Sequence, residues 1–148
     1  TRDEVLKGFK RARTLNEEFK VSVGRGNKTD YELKRKKVEQ FEETVLSNRL
    51  KECLRIISFK ADTVLVAEFL KLLVSFENSA NEELSYTFGG IFYHRPTLVK
   101  KTLSKFTQSQ RRYLQSRLTR GWMNFVVDKD TSEARIKSQR RLLEQMKK

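Results

Sequence analysis

The sequence predicts an all-α protein, an irregular bundle of six or seven helices around a central apolar helix at about 62–77. Three observations predict it. Chain breakers are scarce, with 6 Gly and one Pro in 148 residues, whereas sandwiches and barrels turn roughly every 8–12 residues at Gly, Pro or Asn. Apolar side chains recur at three- and four-residue spacing, which lines one face of a helix. The stretch 64–76 is apolar on nearly every side but for Glu68 and Lys71, the pattern of a helix at the centre of a fold.

Composition places the chain among folded proteins. It is 37% hydrophobic and 34% charged, but its 10 Phe, 4 Tyr and single Trp cluster with aliphatic residues between 38 and 127, and disordered chains lack such residues. The expected organisation is one helical domain over 1–148, long enough to bury about 70% of its unfolded surface. A C-terminal helix, 132–148, can sit at its periphery.

The elements follow in order. Residues 3–20 form a first helix with Val5, Leu6, Phe9, Ala12 and Phe19 on one face, and Gly24 and Gly26 break it over 21–27. Thr29 or Asp30 caps a second helix to about Phe59, with an apolar stripe from Val38 through Leu46, Leu50, Cys53 and Ile57. Its first turns carry four consecutive cations, Lys34, Arg35, Lys36 and Lys37, close to the positive end of the helix dipole, where cations are disfavoured. Asp62 caps the central helix. A polar link, 78–81, leads to a fourth helix through Leu84, Phe88, Ile91 and Phe92, distorted at Gly89-Gly90 and ending before Pro96. Pro96 or Thr97 starts a short fifth helix. Thr107 with Gln110 makes a capping box for a sixth, to about Val127, with Leu114, Leu118, Trp122, Phe125 and Val126 on one side and Arg111, Arg112, Arg117 and Arg120 on another. Thr131 or Ser132 caps the last helix, 133–148, whose anchors are only Ile136, Leu142, Leu143 and Met146.

Several chemistries are disfavoured by residue supply. Nucleophilic triads need a proton-shuttling histidine, and the only one is His94, at a helix end, where a cap or surface contact is the simpler role. The only cysteine, Cys53, lies on an apolar stripe and reads as a small core hydrophobe. Zinc takes about four Cys or His ligands, and di-iron bundles need Glu-x-x-His. The run 128–133 fails as a calcium loop, with Glu133 at the turn glycine and Gln139 at the bidentate Glu. The segment from Gly24 to Thr29 lacks P-loop spacing and reads as a flexible loop. Carboxylate pairs such as Glu39 with Glu43 and Glu82 with Glu83 arise freely on a helical chain with 19 acids, and Glu39 and Glu43 read as solvated partners of Lys36 and Lys37. The expectation is a protein with no catalytic residue, metal or cofactor.

A single cysteine excludes an intramolecular disulfide and favours an intracellular home. An exported protein is compatible too, since a removed signal peptide leaves no trace. No apolar run is long enough to span a membrane.

Charge carries the functional expectation. The formal net charge is +13, unevenly placed. Residues 1–37 hold 12 basic and 6 acidic side chains, 38–99 hold 6 and 9, and 100–148 hold 14 and 4. Arginine forks bond two phosphate oxygens at once, and such a field concentrates polyanions. The sequence therefore points to a nucleic-acid-associated accessory protein in which Arg111, Arg112, Arg117 and Arg120, helped by Lys34, Arg35, Lys36 and Lys37, contact phosphates, with Tyr113 and Trp122 interleaved. The alternative is a helical protein-interaction module, of the bacterial exported or envelope-associated kind, with no nucleic-acid role. Its last helix docks on a partner such as an acidic protein surface. A basic soluble surface with no specific ligand, and an anionic membrane surface, fit the same composition.

Overall fold

The computed structural model describes residues 1–77 and 79–147. Among these the chain is helical with no strand, and counting 28–59 as one rod there are seven helices. The expected link 78–81 and helix end at 148 include Asn78 and Lys148, which lie outside the described residues.

Helix α1 (Arg2–Arg25) starts in a capping box between Thr1 and Glu4. It runs past the expected break, because Gly24 keeps helical geometry and only Gly26, at φ 75°, turns left-handed to close the helix. The cap of α2 (Lys28–Phe41) is Asn27, whose side chain accepts from the Asp30 amide, rather than Thr29 or Asp30. A π-helical turn, Glu42–Leu46, joins α2 to α3 (Ser47–Phe59) in one continuous rod. It has a clear packing reason. Val38 and Leu46 are eight residues apart and would stand roughly 80° apart around a regular helix of 3.6 residues per turn. The wider turn between them takes up that offset, and both side chains are buried.

Helix α4 (Thr63–Ser75) is the hub. Asp62 caps it at the Leu65 amide and is held by Arg2 at 2.7 Å. Leu65, Val66, Phe69, Leu70, Leu72 and Leu73 are all fully buried, and the Phe69 ring meets those of Phe9 and Phe88 at about 6 Å between centroids. Asn81 caps α5 (Glu82–His94), Pro96 opens α6 (Pro96–Leu103), and the Thr107–Gln110 box opens α7 (Gln108–Val127).

Gly89 and Gly90 do not distort α5. Gly89 and Gly121 let α7 cross α5 at backbone contact, since a Cβ on Gly89 would lie 2.3 Å from the Gly121 carbonyl and one on Gly121 would lie 1.7 Å from the Ser85 carbonyl oxygen, while Gly90 makes room for the Phe125 and Leu54 side chains.

Helix α8 (Glu133–Met146), capped by Ser132, lies on the outside of the bundle, with most of its side chains exposed, and is anchored at two buried positions. Gln139 and Leu143 are buried, and Leu143 belongs to the same hydrophobic core as α1 and α4. The anchoring is polar as well as apolar, and an apolar count along α8 alone misses it.

Candidate nucleic-acid interface

Helix α7 has two faces. Leu114, Leu118, Gly121, Trp122 and Phe125 turn into the core. Arg112, Ser116, Arg120, Met123, Asn124 and Val127 turn outward. The i, i+4 series 112, 116, 120, 124 sets this outward stripe along one side of the helix.

The four arginines expected together on a solvent face divide. Arg117 is only 4% exposed. It donates to the carbonyls of Ser79 and Asn81 at 3.2 and 3.0 Å, and lies 6.0 Å from the Tyr113 ring centre. Burial pushes its pKa down. Arg117 is therefore a clasp on the 79–81 link and no phosphate contact. The error lies in helical phase, because Arg117 stands with Leu114, Leu118 and Gly121 on the core side. Arg111 is half-buried and donates to the Phe106 carbonyl, bracing the α6–α7 corner. Arg112 and Arg120 remain outward. Arg120 stands 3.5 Å from Glu82, with both side chains more than half exposed, an ion pair of little strength. Arg112 makes no ion pair among the described residues.

A shallow groove of about 810 Å³ runs along this face. Arg112 and Arg120 line it from α7 and Lys147 from the end of α8, with Gln115, Ser116, Thr119, Asn124 and Met123 between them and, among the described residues, no carboxylate in the lining. The last turn of α8 is set there by Gln115, which donates to the Met146 carbonyl. Lys147 has a weak exposed partner in Glu144 at 3.4 Å. Sequence reading missed Lys147, Ser116, Thr119 and Asn124. The four-residue spacing from Arg112 could have found Ser116 and Asn124, whereas Lys147 arrives only through the α7–α8 packing.

Lys34, Arg35, Lys36 and Lys37 do not join this groove. Lys34 is half-buried beside Val21, Arg25 and Asp30. Arg35 faces Glu39 at 3.7 Å, and Lys36 and Lys37 are exposed on α2. The 79–81 link stands between α2 and α7, as the Asn81 side chain donates to Glu42 while its carbonyl accepts from Arg117. Glu39, Glu42, Glu43 and Glu83 line a pocket of about 390 Å³ at that link. Burial raises the Glu42 pKa, the Asn81 hydrogen bond opposes this, and Glu39 and Glu43 add to it. The two cationic segments thus belong to separate surfaces with acid between them.

Tyr113 and Trp122 do not interleave with Arg112 and Arg120; the exposed cation over the Trp122 ring is Arg140 of α8, 5.8 Å from its centre. The Tyr113 hydroxyl donates to the Leu73 carbonyl at 3.1 Å, and the Trp122 indole donates to Gln139 at 2.7 Å in the core. Two apolar side chains stand on the outward stripe instead, Met123 and Val127, 52% and 81% exposed.

Cys53 is buried in the core, and desolvation raises its thiol so far that it stays protonated. His94 ends α5 with its ring 5.2 Å from Tyr93 and 6.2 Å from Phe125. Burial lowers its pKa first, with Arg135, Lys129 and Arg95 adding to the effect. Among the described residues no group of three His, Cys, Asp or Glu is placed to hold a metal, and no helix is long and apolar enough to cross a membrane.

No protein-family model, curated protein or solved structure matches this chain.

Proposed function

We propose that this is a non-catalytic binding protein whose α7 outer face holds nucleic acid by its phosphates. The observation that carries the reading is the groove in which Arg112, Arg120 and Lys147 stand with the Ser116 hydroxyl and the Asn124 amide and, among the described residues, no carboxylate in the lining. Arginine and lysine neutralise phosphate charge, while Ser116 and Asn124 supply hydrogen bonds to phosphate and sugar that set register; the Thr119 hydroxyl donates to the Gln115 carbonyl and Gln115 to the Met146 carbonyl. The exposed pairs with Glu82 and Glu144 are weak enough for a polyanion to displace. The test is retention on a polyanionic column at moderate salt. The combined Arg112→Glu, Arg120→Glu and Lys147→Glu variant elutes at markedly lower salt while its far-ultraviolet circular dichroism stays helical. Equal retention of the folded variant refutes the reading.

Met123 and Val127 favour a second reading, in which the same stripe binds an acidic protein surface. Exposed Met beside Arg is a composition that protein interfaces favour. Under that reading Met123→Ser with Val127→Ser weakens the complex and leaves column retention unchanged.

A further inference from the structure

We infer that the nucleic acid taken by the α7 groove is a base-paired duplex held through its backbone, rather than an unpaired strand; the inference rests on the α7 reading above. Single-strand sites couple a basic groove to aromatic platforms on which successive bases stack. No ring lines this groove. The two aromatic residues of α7 nearest in sequence to its cations are committed elsewhere, Trp122 to Gln139 at 1% exposure and Tyr113 to the Leu73 carbonyl. Unpaired bases would therefore meet Ser116, Thr119, Asn124 and Met123, which offer no stacking surface. What the groove does offer is cations and small donors, the set that contacts phosphate and sugar.

Spacing points the same way. Arg112 and Arg120 are eight residues apart on a rigid helix, about 12 Å along its axis. Turned about 80° from one another over those eight residues, the two side chains hold fixed positions, and a duplex already holds its phosphates in fixed rows. A flexible strand must be ordered to present its phosphates in this way. The opposite side of α7 is sealed into the core by Leu114, Leu118 and Trp122, and Lys147 of α8 flanks the exposed side. Two arginines and one lysine on the surface neutralise phosphate whatever the bases, so binding is expected to be independent of sequence.

The test titrates the protein onto a labelled duplex of about 20 base pairs, two helical turns, and onto each of its strands alone, between about 50 and 200 mM salt. The duplex is expected to bind more tightly than either strand, and a second duplex of unrelated sequence to bind like the first. With three phosphates neutralised, the plot of log affinity against log salt has a slope of about −2.7, a loss of about 40-fold over that range. Charge reversal at Arg112, Arg120 and Lys147 removes duplex binding. Should that variant unfold, the milder Arg112→Gln, Arg120→Gln and Lys147→Gln set lowers the slope instead. Strands that bind as tightly as the duplex overturn the duplex inference and leave the α7 reading standing. Duplex binding that is absent, or unchanged by both sets of substitutions, overturns the α7 reading and the inference with it.

Discussion

The indole N–H of Trp122 donates to Oε1 of Gln139 at 2.7 Å inside the core, and Gln139 donates onward to the Tyr93 carbonyl at 2.9 Å. One side chain of α8 thereby ties α7 to α5. Arg135 adds a second donor to the same carbonyl at 2.8 Å, its guanidinium 3.8 Å from the centre of the Tyr93 ring. Replacing Gln139 by Leu keeps apolar volume but leaves a buried indole N–H without a partner, which costs about 1–3 kcal/mol. Urea unfolding is expected to show a lower midpoint with an unchanged slope. Removing 131–148 has a larger effect, because it also uncovers Trp122 and discards Leu143. A truncated protein as stable as the full chain would restore the view of α8 as a free docking arm.

Arg117 and Arg112 share α7 and differ in what they do, so paired substitutions separate packing from binding. Arg117→Met leaves the carbonyls of Ser79 and Asn81 without their donor, a cost of about 1–3 kcal/mol, with little change in the salt dependence of polyanion retention. Arg112→Met is expected to be near neutral in stability and to reduce the salt slope by about 0.9, one phosphate contact. Thermal unfolding and elution salt, measured on both variants, test the division.

Much of this molecule was legible in the sequence, and the misses share a cause. The hub at α4 and the Thr107 and Asp62 caps depend on residues within a few positions of one another, where periodicity and hydrogen-bond geometry act directly. The end of α1 was misplaced because two nearby glycines look alike in sequence, while only Gly26 takes the left-handed conformation. Arg117 was misassigned because a cation on a helix is assumed to face water. Its burial depends on carbonyls some 36–38 residues away in the chain. Lys147 and the Gln139 bridge are likewise products of tertiary packing, which no local pattern encodes.

The α5–α7 crossing predicts an asymmetry among glycines. Gly121→Ala would place a methyl 1.7 Å from the Ser85 carbonyl oxygen, a backbone atom that cannot rotate away. The helices must separate, at a cost of about 3 kcal/mol or more, the upper end for overpacking. Gly24 lies inside α1 with nothing within 4 Å of its would-be Cβ. Gly24→Ala is expected to stabilise by up to about 1 kcal/mol, because alanine loses less backbone freedom in a helix. Unfolding midpoints moving in opposite directions would support this account of the crossing, and a tolerated Gly121→Ala would contradict it.

His94 makes stability depend on pH in a defined direction. Its ring is packed against Tyr93 and Phe125, and a proton on it would be partly desolvated and placed near Arg135, Lys129 and Arg95. The folded protein therefore binds that proton less readily than the unfolded chain, whose histidine titrates near 6.5. A group with a lowered folded pKa of this kind contributes its full stability above about pH 7 and loses it as pH falls through 6.5, because the unfolded state takes up the proton first. The loss continues until the folded histidine also protonates. The carboxylate held by Arg2, Asp62, responds in a lower window, since the Arg2 hydrogen bond depresses its pKa, so the two contributions separate along the pH axis. Stability measured by urea between pH 5 and 8 is expected to fall toward the acid side in the wild type and to lose that fall in His94→Gln, where Glu42, with its pKa raised by burial, acts in the opposite sense near the acid limit. A slope that survives the substitution would assign the acid sensitivity to another group and remove His94 from the account of how α5 meets α7 and α8.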